Sequence, residues 1–93
     1  MIGFSKQAYE EFSIAADFSE NMEDAETIAT TTVAAIDKDT GDAAGVVGTA
    51  TVDGQTSVAP VSGGAPGKTY VVTFQAVTSA GNRWELDIGM KVE

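Results

Sequence analysis

The C-terminal third of the chain alternates apolar and polar residues closely enough to predict a β-hairpin. From Pro66 to Val77 the pattern nearly alternates, with Tyr70, Val72, Phe74 and Ala76 at every second position, the period of a strand with one buried face. Thr78-Ser79-Ala80-Gly81-Asn82 reads as a turn. Beyond it, Trp84, Leu86, Ile88, Met90 and Val92 share one face, and Glu85, Asp87, Gly89, Lys91 and Glu93 take the other. Burying each such aliphatic side chain is worth roughly 1.5–3 kcal/mol. A strand of this kind needs a facing layer, so the hairpin predicts two packed sheets.

Similar patterns recur upstream. Phe12, Ile14, Ala16 and Phe18 alternate with Ser13, Ala15, Asp17 and Ser19, predicting a first strand. The acidic segment Glu20 to Glu26 interrupts it. Thr27 to Ile36 is rich in β-branched residues and predicts a second strand. Ile28 and Val33 there have opposite parity, which calls for a bulge or for burial on both faces. Asp37 to Asp42 reads as a loop. Val46–Val52 and Gln55–Val61 form two strand-like pieces joined by Asp53-Gly54, a strong hairpin signal. Pro60 argues for an edge position, because proline donates no hydrogen bond to a ladder. Gly63 to Gly67 reads as a crossing between sheets. The expected fold is all-β, an antiparallel β-sandwich of about six to seven strands. Residues 1–7 are expected to form a flexible N-terminal arm, and residues 8–93 a single sandwich domain. Ile2 and Phe4 on the arm either fray with the terminus or dock on a neighbouring subunit, and with Pro60 they are the candidate interaction residues.

Composition narrows the chemistry. Ninety-three residues suffice for one domain. Cysteine and histidine are both absent, which removes disulfides, thiolate metal sites, the usual neutral-pH base and the histidine triads. Fourteen acidic against five basic residues give a net charge of −9, a balance that repels nucleic acid and anionic membranes. No apolar run is long enough to span a bilayer, and no signal-peptide block follows Phe4. Synthesis in a cytoplasm is the expectation.

The remaining candidate motifs have simpler explanations. Asp37, Asp39 and Asp42 around Gly41 suggest a calcium loop, but the spacing is wrong and Gly48 stands where a bidentate glutamate would fall. A solvated acidic turn fits better. Paired carboxylates such as Glu10 with Glu11, or Glu23 with Asp24, lack a cleft to separate their pKa values, and adjacent strand residues point to opposite faces. Gly63 to Lys68 lacks the spacing and the following helix of a phosphate loop. Trp84 shares parity with Leu86 and Ile88, which assigns it to the core with Tyr70 and Phe74 rather than to a sugar platform. No catalytic, cofactor-binding or metal-ligating residue is expected.

Pro66-Gly67-Lys68-Thr69-Tyr70, followed by Val72, Phe74 and Ala76, resembles the start of the sixth strand of fibronectin type III domains. By that resemblance Tyr70 is a tyrosine corner, its ring in the core and its hydroxyl bonded back to nearby backbone. A broader resemblance rests on Lys6-Gln7, Phe12 to Ser19, Glu26-Thr27-Ile28, Gly63-Gly64 and Thr78 to Asn82. These look like small Ig-like or fibronectin-like proteins encoded among structural genes of tailed bacteriophages and prophages. The resemblance implies an Ig-like sandwich that acts without enzymatic activity in the virion, through contacts with other virion proteins of the capsid or tail. Head decoration, head–tail joining and tail or fibre attachment are all open on this reading. The alternative is a binding module for host-surface carbohydrate or protein, with Asp37–Gly45 and Thr78–Arg83 forming one recognition tip.

Overall fold

A computed structural model describes residues 2–93 of the chain. The described residues form seven strands: β1 (Ile2–Lys6), β2 (Phe12–Asp17), β3 (Ile28–Asp37), β4 (Thr51–Asp53), β5 (Thr56–Val61), β6 (Thr69–Thr78) and β7 (Arg83–Val92). One sheet runs β1-β7-β6-β3 and the other β2-β5-β4. Pairing is antiparallel except between β1 and β7, which run parallel with Ile2 opposite Ile88 and Lys6 opposite Val92. The expected antiparallel sandwich therefore carries one parallel pair. Residues 2–6 of the expected arm are its outer strand, with Ile2, Phe4 and Lys6 alternating toward the core face.

The core lies between the sheets. Tyr70, Val72, Phe74 and Ala76 of β6, with Ile88, Met90 and Val92 of β7, face Ala16, Ala59 and Val61 of the second sheet, and all are buried. Trp84 and Leu86 sit on the same face of β7 but are only half-buried, so burial deepens toward the C-terminal end of that strand. The Trp84 indole nitrogen is shielded from solvent and has no hydrogen-bond partner among the described residues.

Register explains the local irregularities. On β3, Ile28 pairs with Thr78 and Thr30 with Val77, leaving Ala29 as the extra residue of a bulge. That bulge turns both Ile28 and Val33 inward despite their opposite parity. The turn after β4 is Gly54-Gln55, one residue later than Asp53-Gly54, because Asp53 pairs with Thr56. Gly54 takes φ of 63° as its first central residue, a conformation that favours glycine.

Pro60 departs from expectation, since β5 is the middle strand of its sheet. Its ring nitrogen faces away from β2, toward residues 46–48, where Gly48 N donates to the Pro60 carbonyl (2.9 Å) and receives nothing back. The ladder there shrinks to an isolated Val47–Val61 bridge, so the strand expected from Val46 begins only at Thr51. A Cβ on Gly48 would lie 2.6 Å from Pro60 Cγ, so glycine alone fits against the ring.

The β5–β6 connection crosses between the sheets. At its centre the Tyr70 hydroxyl accepts a hydrogen bond from Ala65 N (2.9 Å), and Gly64 packs against the Tyr70 ring and Val92 with φ of 94°. Across the core, the buried Ser57 hydroxyl of β5 meets Thr31 Oγ1 of β3 at 2.7 Å, and Thr31 donates in turn to the Gln75 carbonyl.

Phe74 has no exposure and sits on β6 between β3 and β7, opposite Val33 and Leu86. Phe74→Ala is expected to cost about 3–5 kcal/mol in urea unfolding, whereas Ile36→Ser on the exposed outer face should change stability by no more than about 0.5 kcal/mol.

Candidate docking face

Lys6 determines where the sandwich opens. Its side chain points into the protein and is 2% exposed, with Nζ donating to the carbonyls of Gln7 (2.7 Å), Ala8 (3.4 Å) and Gly63 (2.6 Å). No carboxylate pairs with it; backbone dipoles satisfy the ammonium instead. Glu93 N also donates to the Lys6 carbonyl (2.8 Å). At this clamp the chain leaves the first sheet. A turn closed by Glu10 N to Gln7 O, and by Gln7 N to the Glu10 carboxylate (2.6 Å), then delivers it to the second sheet as β2.

The consequence is that β1 and β2, each the outer strand of its own sheet, lie next to one another. Phe4 and Phe12 meet edge to face across the gap, their centroids 5.8 Å apart. Around them a groove of about 470 Å³ is lined by Ile2, Phe4, Phe12, Ile14 and Ile88. Ile2 is 66% exposed and Phe12 40% exposed, while Tyr9 at the tip of the turn is 96% exposed. Large apolar side chains left in water along two unpaired strand edges mark an interaction surface.

The opposite side is more closed. Ala44 N donates to the Ala35 carbonyl and Ile36 bridges Ala43, so residues 43–48 run from the edge of β3 across to β5. Of the three expected interaction residues, Ile2 and Phe4 line the groove; Pro60 is exposed on the outer face of the second sheet, away from it. Phe12, Ile14 and Tyr9 were not singled out by sequence reasoning. The alternation of Phe12 and Ile14 identifies a strand but not which strand is left unpaired.

The loops expected to form one recognition tip lie apart. Asp37 pairs with Tyr70 at the start of β6, whereas Ile28 pairs with Thr78 at its end. Residues 37–45 and 78–83 therefore sit at opposite ends of the sheet, roughly 25–30 Å apart at strand spacing, and cannot act as one surface.

The Asp37 carboxylate is fully engaged. Its Oδ1 accepts from Asp39 N and Thr40 N, and its Oδ2 is 2.6 Å from Lys68 Nζ, the one ion pair among the described residues. Among those residues no group of three or more carboxylates is arranged to hold a metal. The Lys68 ammonium, with the turn amides, holds the Asp37 carboxyl below the usual carboxylate range. Asp17 is lowered by the Ser19 N–H, and Glu26 by the Thr78 hydroxyl and the Glu23 N–H.

This geometry determines how stability responds to mutation and to pH. Lys6→Met leaves the Gln7 and Gly63 carbonyls without their donor and should lower stability by about 2 kcal/mol in denaturant titration. The depressed carboxylates stabilise the fold fully above their unfolded value, near about 4, and that contribution is lost as pH falls through their lower folded values. The thermal midpoint should therefore drop between about pH 5 and pH 3. Asp37→Asn should lower the midpoint at neutral pH and shrink the acid-induced drop, and added calcium should leave the wild-type midpoint unchanged.

No curated protein matches the sequence. Residues 6–91 match the family Gp77, described as podophage GP4 fiber-tail adaptor protein gp77. The match runs from the clamp residue Lys6 to the penultimate residue of β7, nearly the whole sandwich. The chain belongs to this podophage fiber-tail adaptor family and is a bacteriophage structural protein.

Proposed function

We propose that the protein is a non-enzymatic connector of the virion, holding a fibre to the tail, and that its contact is made through the β1–β2 side. The observation that carries this reading is the groove between the two unpaired edges, with Ile2 and Phe12 exposed along it and Tyr9 exposed on the turn that joins them. The family's description as a fiber-tail adaptor supports attachment over head decoration or head–tail joining. A connector needs a rigid body and an adhesive surface; the two-sheet core supplies the first and this face the second.

We further read the sandwich as Ig-like. Sheet orders β1-β7-β6-β3 and β2-β5-β4, and the Tyr70 hydroxyl bonded back to Ala65 at the entry to β6, support that reading. The separation of the two loop clusters counts against a single recognition tip for host carbohydrate.

Cross-linking mass spectrometry on purified particles tests the connector role. The expected result is cross-links from the exposed Lys38 or Lys91 to tail or fibre polypeptides. Cross-links to the capsid protein alone, or absence of the polypeptide from particles, would overturn it.

A further inference from the structure

The β2 edge has a character that identifies its occupant by chemistry. Phe18 N donates to the Gln55 carbonyl, and antiparallel alternation then turns the backbone groups of Phe12, Ile14 and Ala16 toward β5. Those of Ser13, Ala15 and Asp17 point the other way, into the open. No backbone or side-chain group within the described residues pairs with them. This is a free docking edge three amide positions long, beside an apolar groove.

Charge brackets the edge. Glu10 and Glu11 precede β2, and Asp17 and Glu20 lie at and just beyond its far end. No lysine or arginine occurs between Lys6 and Lys38. Lys6 itself is turned inward and buried. A second copy of the chain is thereby the wrong occupant, because twofold pairing of β2 with β2 would set Glu10 and Glu11 of one copy against Asp17 and Glu20 of the other. The β1 edge has no such bracket, its single charged side chain being Lys6.

We propose that the β2 edge binds by strand addition an extended segment of a partner virion protein, with apolar residues at alternate positions and Lys or Arg at both ends. Backbone bonds to Ser13, Ala15 and Asp17 supply adhesion, and every second side chain of the incoming strand drops into the groove beside Phe12 and Ile14. The basic ends pair with Glu10, Glu11, Asp17 and Glu20, which fixes register along an edge whose backbone is otherwise featureless. The proposal rests on the connector reading but is separable from it.

The test uses phage carrying variants of the full chain, with occupancy in purified particles measured by quantitative mass spectrometry. Ala15→Pro removes an N–H that the protein's own ladder does not use, so the fold should persist by circular dichroism while occupancy is lost. Glu11→Lys with Glu20→Lys reverses charge on exposed positions and should cut occupancy about tenfold. Val52→Pro, on the outer edge of β4, serves as the control and should be incorporated as wild type. Folded Ala15→Pro protein incorporated at wild-type level would overturn the proposal. If Ala15→Pro fails to fold, the charge-reversed variant decides, and its normal incorporation would overturn the proposal equally. A dimer of the isolated wild-type protein paired through β2 would also do so. Wild-type protein absent from particles would instead sink the connector reading.

Discussion

A buried ammonium with no carboxylate partner fixes the layout of this molecule. Lys6 reaches under the turn it precedes and ties three backbone carbonyls together, two from that turn and one from the crossing between β5 and β6. Desolvating a charge is costly, and close bonds to several carbonyl dipoles offset that cost. The clamp joins the end of β1, the start of β2 and the loop that changes sheets. Two strand edges end up side by side with the Phe4–Phe12 contact between them, and everything inferred about docking depends on that adjacency.

The rest of the fold keeps this face in place. β6 and β7 provide the long central ladder, and their inward residues pack on Ala16, Ala59 and Val61. At the end where β6 finishes, the Glu26 carboxylate organises the loops by accepting from Glu23 N and the Asn82 amide, while Gln55 donates to the Glu23 and Glu26 carbonyls. At the other end, the Asp37–Lys68 pair and the Tyr70–Ala65 bond fix the loops where the chain changes sheets. Closure of the side between β3 and β5 by residues 43–48 leaves β1 and β2 as the open side. The same Pro60 ring that breaks the β4 ladder also defines how that closing segment must pass, because only a glycine can run beside it.

The strands were legible because their information is local. Alternation from Tyr70 to Val92, the parity conflict between Ile28 and Val33, and the glycine-containing turn after Asp53 each depend on residues a few positions apart. Which strands lie at the edges was not legible, because sheet order is set by pairings far apart in sequence. Pro60 shows the difference: its missing donor was read as marking an edge strand, whereas the strand is central and only the ladder on one side is cut short. The outer strand β1 was missed because five residues give too short a pattern, and its partner β7 lies more than eighty positions away. Lys6 gave no sign of being buried, since a lone lysine near a terminus is ordinarily solvated. The carboxylates of Glu10, Glu11, Asp17 and Glu20 are visible in the sequence, but their role as a bracket emerges only once β2 is known to be an edge.

The most direct measurement is amide hydrogen exchange at single residues of β2, made on the isolated protein and again in the assembled fibre–tail complex. The account predicts fast exchange at Ser13, Ala15 and Asp17 in the isolated protein, beside slow exchange at Ile14 and Ala16, and protection of the first three on assembly. Protection of Ser13 and Ala15 already present in the isolated protein, or exchange there that assembly leaves unchanged, would contradict it.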